Sequence, residues 1–284
     1  MSLRRQNSTQ VFPRIFLFIL VLAFAMAGCL GPVQGTIALR QAQDVFNAAS
    51  AETIEQYERD LREETAGAAV PPESPHEKYQ RVIEIIDNRV LDTVNRNDLK
   101  VNAYSLKAFS CWQLGEGTKA KTTAEKGLDL YKRSGLTTNR RDYGMLLILG
   151  GLVDYTEAYR IYEEKVLELS ASYFSVADAR ELAGAMAAAL EKIDEINLQM
   201  NRGEPIVVYA NYQQLRIIRN ILDVWEKVRT PEERLDAYCT WFCRAEKIWT
   251  TKFPEEPYAG ETDVRALRQE IEVYKGDDCI CPPG

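Results

Sequence analysis

Histidine is almost missing from this chain: His76 is the single one in 284 residues. A site needing two imidazoles is thereby excluded, which removes most zinc proteases, facial-triad iron enzymes and histidine-rich metal cages. Strand signals are scarce as well. After residue 28 no Asn-Gly or Asp-Gly pair is present to turn a hairpin, and no sustained alternation of apolar and polar residues occurs. A basic excess is also lacking: 35 lysines and arginines face 42 acids, a formal charge of −7. No cationic stripe is left to neutralise a phosphate backbone, so nucleic acid is not an expected partner. What the chain does hold is 46% hydrophobic and 10% aromatic residues, enough to fill a core.

The one long apolar run, Ile15 to Ala27, follows Arg4, Arg5 and Arg14 with no acid before it. Its length suits the apolar region of a signal peptide and is short for a membrane span. It ends in Met26-Ala27-Gly28-Cys29, which resembles a bacterial lipobox, with methionine in place of the usual leucine. The resemblance implies a signal peptide over 1–28, a lipidated tether over 29–35, and a Cys29 carrying a thioether diacylglycerol and an N-acyl chain. Leu30 stands where lipoproteins kept in the inner membrane often have aspartate. The family's sorting rule reads that as an outer-membrane address facing the periplasm. Ala25-Met26-Ala27 also suits ordinary secretory cleavage, and an uncleaved anchor is a further alternative. Losing the three arginines of 1–28 leaves 32 basic against 42 acidic residues, a formal charge of −10. Such a body is repelled by anionic surfaces, so membrane affinity falls to the anchor, and protein or cationic ligands are favoured.

The rest reads as one all-α domain over 36–284. Helical periodicity predicts spans near 36–66, 75–94, 97–114, 117–132, 139–152, 155–170, 175–201, 205–228, 231–251 and 262–274. Ser74-Pro75-His76-Glu77 and Thr230-Pro231-Glu232-Glu233 each place a hydroxyl at the N-cap, proline at N1 and glutamate at N3, the pattern of a capping box. Ser175 with Asp178, and Thr262, repeat the idea more weakly. Ala66 to Pro75 is the one breaker-rich linker of the body.

Ala108, Cys111, Leu114-Gly115, Gly117, Ala120, Ala124, Gly127-Leu128 and Leu130 follow the spacing of small and large residues that resembles a tetratricopeptide repeat. Ala108 and Ala120 would let two helices approach, and Leu114-Gly115 would close the first. About 38 residues on, Leu152, Tyr155, Ala158, Tyr162 and Val166 resemble the turn and second helix of another copy, with Asp154 as its cap. Tyr79, Val82, Ile83 and Ile86 resemble a second helix upstream, with Phe46 and Ala48-Ala49 on its partner. Ala183, Gly184, Ala187, Ala188 and Leu190 form a small-residue helix outside the family spacing. The resemblance implies helical hairpins stacked as a right-handed α-solenoid, with irregular C-terminal helices; an irregular bundle is the alternative.

Candidate chemistry is sparse. Gly115-Glu116-Gly117-Thr118-Lys119 does not meet the G-x-x-x-x-G-K-[ST] spacing of a phosphate loop and reads as a turn. Glu163, Glu164, Glu191 and Glu195 read as a solvated face, and Tyr155, Tyr159, Tyr162, Tyr209 and Tyr212 as core packing. Five cysteines follow the lipobox. Cys111 reads as a buried free thiol. Cys239 and Cys243 lie one helical turn apart, and Cys279-Ile280-Cys281 sits near the end of the chain, where pairing within either couple is strained. Two bridges from tail to helix are therefore expected. The spacing matches no standard knuckle for zinc or an iron-sulfur cluster, so neither metal nor cofactor is expected.

The expected function is that of a lipid-anchored, periplasm-facing adaptor, not an enzyme, that binds a peptide or protein of the cell envelope in a helical groove. An accessory solute-handling lipoprotein of a transporter is the second possibility, and an envelope hydrolase the third. Tyr104, Lys107, Arg140, Arg141 and Tyr143, placed on first helices of the hairpins, are the candidate groove residues, suited to an acidic segment.

Overall fold

The protein is described by a computed structural model over residues 31–53, 74–169, 173–253, 262–276 and 279–282. Regular structure among these residues is helical throughout: α1 (31–53), α2 (Pro75–Arg89), α3 (Asn97–Gln113), α4 (Gly117–Arg133), α5 (Arg140–Leu169), α6 (Val176–Asp194), the single turn α7 (Ile196–Gln199), α8 (Pro205–Glu226), α9 (Pro231–Lys252) and α10 (Thr262–Glu272). The expected lipobox with Cys29, residues 54–66 of the first span and most of the linker before Pro75 lie outside the described residues. Residues 31–35, expected as tether, are already helical.

Local chemistry accounts for the starts. At α2, Ser74 Oγ accepts from Glu77 N at 3.2 Å while Glu77 Oε2 accepts from Ser74 N at 2.7 Å, so the capping box is complete. Ser175 Oγ likewise accepts from Asp178 N at 3.1 Å at α6. Thr230 departs from expectation. It is the N-cap of α9 but makes no side-chain cap bond, and the start there rests on Pro231 and the acids Glu232 and Glu233 facing the positive end of the helix.

Helices adjacent in sequence pack against each other along the chain, α2 on α3, α3 on α4, α4 on α5 and α5 on α6. The α3–α4 hairpin turns at Leu114–Glu116, with Gly115 at φ 75° supplying the left-handed conformation that side chains resist. Ala108 and Ala120 are fully buried in that pair. The expected second turn is absent. α5 runs unbroken for 30 residues across 152–155, and Asp154 is no cap: it lies mid-helix and binds Lys121 of α4 and Lys192 of α6. Just before the expected turn, Gly151 serves a helix crossing. A Cβ there would meet Ala189 O at 2.7 Å and Ile193 Cγ1 at 2.6 Å on α6.

α8 forms the centre of the C-terminal half. It is buried on nearly every side between α5, α6, α9 and α10; Asn211 is fully engaged there, while Gln214 Oε1 and Trp225 Nε1 find no partner among the described residues. Asn211 Oδ1 accepts from Gln214 Nε2 at 3.0 Å and from Asn197 Nδ2 at 2.9 Å, while Asn211 Nδ2 donates to Lys252 O at 3.2 Å. These bonds offset the cost of burying amides. A second, smaller core joins α1 to α2 and α3 through Ala38, Leu39, Ala42, Val82, Ile86 and Leu106. Phe46 meets Tyr79 edge-on at 5.8 Å.

Candidate functional site

A cleft of ≈ 550 Å³ opens where the α3–α4 turn approaches the middle of α5 and the exposed side of α6. It exists because small residues hold its walls together while leaving its floor unfilled. Gly117 brings the start of α4 onto α5, for a Cβ there would lie 2.8 Å from Val153 Cγ1. Across from it, Ala185 and Ala188 on α6 are exposed and too short to close the gap. Val153, Ala158 and Ile161 of α5 supply the apolar floor. Trp112 forms one wall, its Nε1 donating at 3.0 Å to Thr156 Oγ1, which itself donates to Leu152 O at 2.9 Å.

The rim is charged. Lys121 from α4 and Lys192 from α6 bind opposite oxygens of Asp154, so three helices are tied at the edge of the cleft. Burial pushes the Asp154 carboxyl up, but the hydrogen bonds and charges of the two lysines outweigh it and hold the group below the ordinary carboxylate value. Glu157, further along the rim, receives Arg160 at 2.7 Å. The lining residues include no histidine, cysteine or serine, and the Thr156 hydroxyl is committed to helix and tryptophan. Chemically the cleft is suited to receiving a bulky apolar group beside an uncharged polar group such as an amide.

None of the five residues expected to form the groove lines this cleft. Lys107 reaches Asp87 of α2 at 2.5 Å, whereas Arg140 faces the start of α8, where Glu204 receives its Nη2 at 2.7 Å. These cations point to different neighbours and are occupied. Tyr143 is buried, stacked on Tyr131 at 4.3 Å and bonded to Gln199; burial first, then the neighbouring Tyr131 and Glu195, pushes its hydroxyl up. Tyr104 packs its Cβ toward Gly127 of α4, and Arg141 is exposed beside Asp142.

Cysteines 239 and 243 lie on one side of α9. Cys239 is bonded to Cys279 and Cys243 to Cys281, fastening residues 279–282 to the helix. The sulfurs of Cys239, Cys243 and Cys279 fall within 4.8 Å of one another, but bonded sulfurs offer no thiolate to a cation. Cys111 is free and buried, its thiol pushed up by desolvation and by Glu116. Of the carboxylates, Glu164 pairs with Arg160, Glu191 with Arg244 at 2.5 Å, and Glu195 accepts from Gln199 Nε2 at 2.9 Å. The tyrosines of α5 are chiefly packing groups: Tyr155 accepts from Asn220 of α8, and Tyr162 lies 6.0 Å from Phe174, with burial and then Asp223 pushing its hydroxyl up to about 12. His76 is exposed, 3.1 Å from Gln80 Nε2.

No protein-family model, curated protein or solved structure matches the chain.

Proposed function

We propose that the protein is a lipid-anchored adaptor of the cell envelope, held by Cys29 at the outer membrane and facing the periplasm, which docks a peptide or protein segment in the cleft between α4, α5 and α6. The tetratricopeptide-like reading is kept here for the α3–α4 hairpin and its neighbours. The observation that carries the assignment is the cleft itself: exposed Ala185 and Ala188 face an apolar floor of Val153, Ala158 and Ile161, beside a polar rim where Lys121 and Lys192 are paired with Asp154 and Glu157 stands further along. An apolar anchor flanked by uncharged hydrogen-bonding groups meets both features. The helices recognise a partner; they do not transform it.

The cleft also has the volume of small-ligand sites, about 300–1,000 Å³, which favours the transporter-accessory reading as the second. One experiment separates the two. Ala185→Arg together with Ala188→Arg fills the opening from exposed positions, so folding should be unaffected and the melting temperature unchanged. Crosslinking in intact cells should then lose the partner bands recovered with the wild type by tenfold or more. Recovery of the same partners in the same yield places docking elsewhere. Loss of solute uptake with unaltered crosslinks selects the second reading.

A further inference from the structure

Val33 and Ile37 on α1 are 56% and 60% exposed. One helical turn apart, they form a single stripe that continues through exposed Arg40 and Asp44. The helix cannot roll to hide them, because its opposite face is committed to α2. Ala38, Leu39 and Ala42 are buried there, and a Cβ on Gly35 would lie 2.7 Å from Val94 Cγ2. Charge is distributed to match: all 42 acids of the chain lie at or beyond Asp44, so the first three turns of α1 carry Arg40 and no carboxylate. The helix is already formed at residue 31, two positions after Cys29, which leaves little slack between an acyl chain and this face.

We propose that the stripe is a membrane contact. The leaflet that takes the acyl chains of Cys29 also receives Val33 and Ile37, with Arg40 at the level of the lipid phosphates, so that α1 lies along the bilayer and fixes which way the acidic body faces. Two aliphatic side chains are too few to hold a protein at a membrane unaided. Once the anchor is inserted, however, their contact is intramolecular and its effective concentration is high. The contact stops at Asp44, where a carboxylate would meet the headgroup phosphates. This inference rests on the lipid-anchored reading above.

The test uses the full acylated protein, purified from membranes and reconstituted in vesicles of phosphatidylethanolamine and phosphatidylglycerol, with or without brominated acyl chains. Ile37→Trp adds a reporter to the four native tryptophans, and Leu235→Trp, at a position 54% exposed on α9, is the control for the affinity of tryptophan itself. The added emission of Ile37→Trp should fall at least twofold on brominated lipid, while Leu235→Trp and wild type change little. Unquenched emission from Ile37→Trp in protein that is acylated and floats with the vesicles overturns the proposal and leaves the anchor standing. Equal quenching at both positions overturns it too. Mass spectrometry showing no acyl chain on the wild-type protein removes the anchor and this contact together.

Discussion

Two adjacent glycines in α5 illustrate how one residue type carries opposite meanings. A Cβ built on Gly150 meets nothing within 4 Å, whereas one on Gly151 runs into the Ala189 carbonyl of α6 at 2.7 Å, a backbone atom that cannot swing aside. Gly150→Ala should therefore stabilise by about 0.5–1 kcal/mol, the helix propensity gained. Gly151→Ala should destabilise by about 1–3 kcal/mol, because the α5–α6 crossing must open. Urea denaturation of the two variants checks both signs, and equal effects would show that the crossing is not close. The turn expected at 152–155 rested on repeat spacing at Leu152 and Tyr155 with Asp154 as cap, and the neighbouring glycines do not contradict it locally. Glycines followed by an aspartate suit a turn and a cap as well as they suit a close crossing and an interhelical ion pair. Only the position of α6, remote in sequence, separates these meanings.

Among the elements, helix starts were legible because their causes are local. Ser74, Pro75 and Glu77 are contiguous, and their bonds follow from spacing; Thr230 had the same spacing but not the bond. The cleft was not legible, since Trp112, Lys121, Asp154 and Ala188 come from four helices whose approach depends on Gly117 and Gly151. The expected groove residues failed to gather for a related reason: Asp87, Glu204 and Gln199, which occupy Lys107, Arg140 and Tyr143, lie on other elements. The cysteine pairing, by contrast, joins two short-range couples. Cys239–Cys279 spans 40 residues and Cys243–Cys281 spans 38, so either bridge alone closes nearly the same loop. By chain-entropy reasoning the first closure contributes about 4 kcal/mol and the second, which then shuts only a small ring, about 2 kcal/mol. Cys243→Ser with Cys281→Ser should thus cost clearly less than half of what replacing all four cysteines costs. Thermal melts without reductant test this, and equal losses for the double and quadruple variants would refute the independent contribution of the crossed second bridge.

At the scale of the whole molecule, the proposed anchor would hold an acidic body by one end. The formal charge, −7 for the full chain and −10 if residues 1–28 are removed, opposes adsorption to anionic lipid, and no helix among the described residues is long and apolar enough to cross a membrane. On the proposed reading attachment comes from covalent acyl chains: a single chain holds only reversibly, whereas the diacylglycerol and N-acyl group implied by the lipobox resemblance together would hold far more firmly. Cells fed an alkyne analogue of palmitate should incorporate it into the wild-type protein and into none of the Cys29→Ser variant, and the wild type should pellet with the outer-membrane fraction. Ordinary secretion predicts something different at each step. Cleavage after Ala27 would leave Gly28 as the first residue, the protein would be free in the periplasm, and neither wild type nor variant would label. Edman degradation adds an independent readout, since an N-acylated cysteine blocks the reaction while a free glycine gives sequence at once. A labelled Cys29→Ser variant, or an unblocked Gly28, is the result that removes the anchor from this protein.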